Sequence, residues 1–211
     1  MRRVIQKLGV LNKLGQNLYY DLIISRRWNG FEGVETPVRD GLHQTQSVDY
    51  TLLSESLPLN LIENAETIVD VGSGRGRVLG FLAWKYPQKR FFGYELNAAV
   101  LEESKVLLCP RFKNVSLELI DILTRSLPHA DLFILFNPFD VHCAEKFFAL
   151  LRSLPGATAV YINFPQSHDS LLLDLHTDTD FDVELIQHSN DWKDIRDKRT
   201  LIVSVKKDSV A

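Results

Sequence analysis

Val69-Asp70-Val71-Gly72-Ser73-Gly74-Arg75-Gly76-Arg77 is the stretch that decides how the rest of the chain is read. The β-branched run from Thr67 to Val71 predicts a strand, and Val78 to Tyr86, stopping before Pro87, predicts a helix. Between them stand glycines at 72, 74 and 76. Such a turn frees the backbone for positive φ and for close approach to a ligand. In open α/β sheets, ligands bind at the carboxyl ends of the strands. The spacing is Gly-x-Gly-x-Gly, not the Gly-x-Gly-x-x-Gly of dinucleotide sites, and no Gly-Lys-Ser/Thr follows as in a phosphate loop. Asp70, two residues before Gly72, suits a cationic or amino-bearing ligand and would repel a pyrophosphate.

Outward from this turn the pattern stays regular. Phe91 to Glu95, Val115 to Ile120, Asp131 to Phe136 and Ala157 to Phe164 predict four further strands. Helices are expected from Asn97, as N-cap, to about Leu107, from Ala144 to Leu154, and from His168 to about Leu175. Strands alternating with helices imply βαβ units and a mostly parallel sheet. Phe181 to Gln187 and Thr200 to Lys206 have no helix between them and are expected to pair as an antiparallel edge. The fold class is therefore α/β, with seven strands and helices on both faces. Upstream, Tyr50 to Leu57 predicts a short helix closed by Pro58. Residues 28–50 have no period and are punctuated by Gly30, Gly33, Pro37 and Gly41, the pattern of a lid or binding loop. Val4, Leu8, Leu11, Leu14, Leu18, Leu22 and Ile23 recur at helical spacing. Two units are expected: an N-terminal helical extension with its lid segment, residues 1–57, and a ligand-binding domain, residues 58–211.

The motif from Asp70 to Gly76 resembles that of the class I S-adenosylmethionine-dependent methyltransferases, and the resemblance spans about residues 66–206. It implies a Rossmann-like sheet with S-adenosylmethionine as methyl donor, S-adenosylhomocysteine as product, and no metal. In that family an acidic residue ending the next strand binds the ribose hydroxyls, and another ends the third strand near the adenine. Glu95 and Asp121, the latter in Leu119-Ile120-Asp121-Ile122, match these positions. The donor-binding residues implied are Asp70, Gly72, Ser73, Gly74, Gly76, Glu95, Leu96, Asp121 and Ile122.

Phe136-Asn137-Pro138-Phe139-Asp140 ends the fourth strand, which in the family faces the methyl donor. It is similar to the Asn-Pro-Pro-aromatic motif of amino-methylating enzymes, with the second proline missing. By that similarity Asn137 and a backbone carbonyl accept hydrogen bonds from a substrate amine, and Phe139 packs on the substrate. Asp140 is either a proton acceptor or a helix N-cap. Asn137, Phe139 and Asp140 are thus the expected catalytic residues, for N-methylation of an amine or amide-type acceptor. A closer match is a poorly characterised group of small bacterial methyltransferases with a segment resembling Gly33-Val34-Glu35-Thr36 and the same Asn-Pro-Phe. Gly72 to Val78 is also similar to the core of Dot-type lysine methyltransferases. Glu95-Leu96-Asn97 is similar to enzymes that methylate a lysine of an ATP synthase subunit. Those relatives carry a different loop after the fourth strand.

Composition bounds the alternatives. Apolar residues make up 45% and charged residues 24%, ordinary for a soluble globular chain. Cys109 and Cys143 lack metal-ligand spacing and fit a reducing, cytoplasmic setting. No apolar run nears the roughly 20 residues that span a bilayer, and Gln6, Lys7, Asn12 and Lys13 interrupt any signal-peptide core. A net charge of −3 argues against a nucleic-acid acceptor and favours a protein or small molecule. Residues 1–27 carry six basic residues against Asp21, a net charge of +5, while the remainder is net acidic. Their helix either docks on its own domain by its leucines, the favoured reading, or contacts an anionic membrane or a partner. His142 is expected on a helix surface near the site. His43, His129, His168, His176 and His188 form no ligand spacing. Two rival functions remain: a non-catalytic S-adenosylmethionine-binding module, and a nicotinamide-dependent oxidoreductase.

Overall fold

A computed structural model of the chain describes residues 14–26, 40–43, 48–188 and 198–207. Val4, Leu8 and Leu11 of the expected N-terminal helix, Gly33-Val34-Glu35-Thr36 and most of the expected lid segment lie outside them. The glycine turn is flanked as the sequence predicts, by strand β1 (Thr67–Val71) and helix α4 (Arg77–Lys85). Ahead of β1 come a helix through residues 14–24 (α1), α2 (Tyr50–Ser56) and α3 (Leu59–Asn64). Then follow β2 (Arg90–Glu95), α5 (Ala98–Leu108), β3 (Val115–Leu119), β4 (Leu132–Phe136), α6 (Val141–Leu151), β5 (Thr158–Ile162), α7 (Asp169–Thr177), β6 (Phe181–Gln187) and β7 (Arg199–Val205). Asn97 caps α5 as expected, its side chain accepting from the amides of Ala99 and Val100.

The sheet order is β3-β2-β1-β4-β5-β7-β6. β1 to β5 pair in parallel, and β7 alone is reversed, lying between β5 and the edge strand β6. The chain leaves β1 toward β2 on one side and returns as β4 on the other. This strand-order reversal opens a crevice at the carboxyl ends of β1 and β4.

Successive strand residues point to opposite faces, and two apolar clusters result. Ile68, Ile134, Val160 and Ile202 pack with Leu79, Leu53 and Ile62 on the face covered by α2 to α5. Val69, Phe133, Leu135, Tyr161 and Val203 pack with Phe147, Phe148 and Leu171 on the face covered by α6 and α7. Burying each such side chain contributes about 1.5–3 kcal/mol. The unit boundary expected at 57/58 falls between α2 and α3, and both helices pack into the first cluster.

Helix α1 docks on the domain, but not by its leucines. Leu14, Leu18 and Leu22 remain 38%, 39% and 50% exposed, whereas Asn17, Asp21 and Ile24 are buried. Arg77 explains the inversion. Its guanidinium donates to Asp21 Oδ2 at 2.8 Å and Oδ1 at 3.2 Å and to the Val48 carbonyl at 2.8 Å. The Tyr50 hydroxyl donates to Asp21 Oδ1 at 2.9 Å, and burial beside that carboxylate pushes the hydroxyl's pKa up, which keeps it a donor. With both ions buried, deleting one strands the other at a cost of about 3–5 kcal/mol.

Candidate active site

At the end of β1 the backbone turns through left-handed conformations at Gly72, Gly74 and Gly76, with φ of +73°, +53° and +77°. The amides of Gly72 and Ser73 both donate to the Tyr94 carbonyl, at 2.9 and 3.0 Å, tying the turn to the end of β2. A Cβ on Gly72 would stand 3.2 Å from Pro138 Cβ, so the glycine there lets the turn and the loop after β4 come together. The cleft that opens between these strand ends is lined by Asp70, Gly72, Ser73, Gly74, Glu95, Leu96, Asp121 and Ile122, eight of the nine expected donor residues. Gly76 is not on its wall. A Cβ there would meet Leu108 Cδ1 at 2.5 Å, so this glycine serves the packing of α4 on α5.

Two buried atoms of this turn have no hydrogen-bond partner, Asp70 Oδ2 and Ser73 Oγ. Unpartnered buried polar atoms cost free energy and call for an explanation. Burial, and secondarily the charge of Glu95, push the Asp70 carboxyl up to about 8. Glu95 differs: it accepts from the amides of Gly74 at 2.9 Å and of Leu96 and Asn97 at 2.8 Å each. A carboxylate offers about four lone-pair sites, so one remains for a ligand. Asp121 lines the cleft while one of its oxygens accepts from the Leu123 amide, capping the short turn Ile122–Thr124.

The loop after β4 is arranged otherwise. Phe139 and Pro138 line the cleft; Asn137 and Asp140, both expected to be catalytic, do not. Asn137 takes a left-handed φ of +45°, which asparagine tolerates. The Tyr161 hydroxyl is shared between Asn137 Oδ1 at 3.2 Å and the Phe139 carbonyl at 3.1 Å. Burial pushes that hydroxyl's pKa up, so it stays a donor. The carbonyls of Asn137 and Pro138 accept from the ring and the amide of His43. Each oxygen expected to receive a substrate amine thus already accepts one hydrogen bond within the protein, and Asn137 itself is not on the cleft wall. Asp140 resolves to the N-cap: it accepts from the Cys143 amide at 2.9 Å, and that bond holds its carboxyl below the usual range. His142 is an exposed residue on α6, 3.4 Å from Glu145.

Residues that sequence reasoning passed over complete the cleft. Leu42, His43 and Val48 reach it from upstream, Arg77 from the start of α4 and Tyr94 from the end of β2. Arg75 also borders it, though its guanidinium pairs with Glu103 at 2.9 Å. Among the described residues no group of His, Cys, Asp and Glu could hold a metal ion. Nor is any helix among them long and apolar enough to cross a membrane.

Residues 30–160 match the family model of the O-methyltransferase domain. O-methyltransferase 7 of Dictyostelium discoideum is 29% identical over 143 residues, which are 63% of this chain and 40% of that protein. The chain thus spans less than half the length of this relative. Among solved structures, the O-methyltransferase TomG of Streptomyces achromogenes, in complex with SAM, superposes with a TM-score of 0.58 at 17% identity, covering 77% of this chain and 82% of that one. Cofactor-bound Rv0187 from MTB gives 0.61 at 17% identity, covering 77% and 83%.

Proposed function

The chain belongs to the O-methyltransferase domain family, and from that premise we propose that it moves a methyl group from S-adenosylmethionine to a hydroxyl oxygen, releasing S-adenosylhomocysteine. The observation that carries the donor assignment is Asp70 Oδ2, buried and unpartnered on a residue of the cleft wall, with Ser73 Oγ likewise unpartnered and turned toward Gly93. The site fits a donor that brings an ammonium group to that depth. Asp70 receives the ammonium, which favours the ionised carboxylate against its burial. Glu95 offers its remaining acceptor site to the ribose, and Leu96 and Ile122 flank the adenine with apolar surface. When bound, the sulfonium donor supplies a methyl group already activated for direct displacement. The chain's part is alignment and exclusion of water, effects worth about 7–11 kcal/mol in favourable systems.

Oxygen is preferred to nitrogen as the acceptor atom. The N-methylation expected from the Asn-Pro-Phe loop needed Asn137 at the cleft, but its side-chain oxygen is turned to Tyr161 and it does not line the wall, and the family match is to O-methyltransferases. The family match likewise supports a methyltransferase over a nicotinamide-dependent oxidoreductase or a non-catalytic binding module.

Incubating the protein with methyl-tritiated S-adenosylmethionine and fractionated cell extract tests this. The expected label is an O-methyl ether, released by hydriodic acid under conditions that spare N-methyl groups. Label confined to N-methyl groups, or no transfer to any fraction, would overturn the reading.

A further inference from the structure

His43 stands beside the cleft on a built mount. Leu42 pairs with Phe139 in an isolated antiparallel bridge. On either side of it the Asp140 amide donates to the Gly41 carbonyl at 2.8 Å and the His43 amide donates to the Pro138 carbonyl at 3.0 Å. These bonds fix the His43 backbone against the loop after β4. The ring is fixed as well: its Nδ1 lies 2.8 Å from the backbone oxygen of Asn137. A carbonyl oxygen only accepts, so Nδ1 must carry the hydrogen. In the neutral ring Nε2, on the opposite edge, is then an unprotonated acceptor. His43 is the one histidine among the described residues that line the cleft, and its side chain is exposed. The carboxylates and arginines there are otherwise committed, and burial pushes the Tyr94 hydroxyl's pKa up, which keeps it protonated. Asp70 lies at the buried end, Glu95 holds three amides, Arg77 is paired with Asp21, and Asp121 caps a turn.

We propose that His43 is the general base of the reaction, taking the acceptor's hydroxyl proton on Nε2. The inference rests on the O-methyltransferase reading above. The acceptor O–H bond breaks as its proton passes to Nε2. The oxygen's electron pair forms the new O–C bond, and the electrons of the broken C–S bond stay on sulfur as a neutral thioether. The imidazolium keeps its Nδ1 hydrogen on the Asn137 carbonyl and gives up the Nε2 proton to solvent, to which the ring is open. Asn137 and Tyr161 are positioning residues in this scheme: Tyr161 holds Asn137, whose carbonyl sets the tautomer of His43.

The test has two arms, both on the full chain. In the first, isotope-labelled histidine is incorporated, the His43 signals are assigned by their loss in His43→Asn, and the nitrogen chemical shifts are read with S-adenosylhomocysteine present. The expected state is hydrogen on Nδ1 and none on Nε2; the opposite tautomer overturns the proposal whatever the activity. In the second, labelled methyl transfer into the extract fraction that accepts it is compared between the native protein and His43→Asn. The asparagine amide can still donate to the Asn137 carbonyl but offers no base. Its turnover should fall by about 10²–10⁴-fold, the usual contribution of general base catalysis. S-adenosylhomocysteine affinity should stay unchanged, and added imidazole should partly rescue His43→Gly. A His43→Asn variant retaining activity within about threefold, far short of that range, would make His43 a clamp only. Absence of any O-methyl product with the native protein would instead remove the parent reading, and the base with it.

Discussion

At the end of β1, the turn from Gly72 to Gly76 leaves Asp70 Oδ2 and Ser73 Oγ buried and without partners. One strand away, at the end of β4, the carbonyls of Asn137, Pro138 and Phe139 and the side-chain oxygen of Asn137 are all engaged by His43 and Tyr161. The two loops approach each other at Gly72 and Pro138 and share one cleft, yet one is incomplete and the other finished. A buried polar group left unmatched is a cost the fold carries for a ligand. A loop whose acceptors each hold a partner within the protein is a scaffold, which in the proposed scheme holds a wall and a base in place. On the proposed reading the donor belongs to the first loop and the shaping of the acceptor side to the second.

The sharpest way to break the comparison is at Gly74, whose φ of +53° a β-branched side chain rarely adopts. Gly74→Val should cost more than about a hundredfold in S-adenosylhomocysteine affinity by calorimetry, with the circular dichroism spectrum retained. A folded variant that still binds would move the donor elsewhere. Glu95→Ala comes next, because it removes three charged hydrogen bonds, one of them from the Gly74 amide of the glycine turn, together with the proposed ribose acceptor. Each such bond contributes about 1.5–3 kcal/mol when buried, so donor affinity should fall about ten- to hundredfold and thermal stability should drop with it. Loss of affinity without loss of stability would mean that Glu95 does not hold the turn. Tyr161→Phe probes the finished loop. It should cost about 1 kcal/mol of stability and slow methyl transfer, leaving S-adenosylhomocysteine affinity untouched. A donor-affinity defect as large as that of Glu95→Ala would erase the division between the loops.

The difference between the loops also explains what the sequence discloses. The donor side is legible because its elements are local: Asp70, the glycines and Glu95 lie on or beside two successive strand ends, and short β-branched and aromatic runs mark those strands. The seven-stranded sheet follows from the same patterning. The rest depends on partners far along the chain. His43 meets Asn137 across 94 positions, and nothing around either residue marks the other. Asp21 is buried because Arg77, 56 positions on, pairs with it. Helical periodicity shows that a helix has two faces, not which one docks, and the leucine face is the wrong one here. Helix α3 escapes notice because six residues after Pro58 show too little of a helical period. Asp140 reads equally well as base or cap, and only the Cys143 amide decides.

The central claim, that the unmatched Asp70 awaits a cationic donor, has a direct thermodynamic test. In the donor-free protein burial raises the Asp70 carboxyl from 3.8 to about 8, so the folded state keeps a proton that the unfolded chain releases. Stability is therefore full below about pH 4 and declines as pH rises toward about 8, and Asp70→Asn should remove that decline. A bound ammonium favours the carboxylate, so donor binding must expel the proton. Calorimetric titration of S-adenosylhomocysteine from about pH 5 to about pH 9 should show native affinity climbing with pH and levelling near 8. The Asp70→Asn protein should bind about ten- to hundredfold more weakly at the plateau, with a flat profile. Equal affinities and parallel profiles for the two proteins would contradict the account.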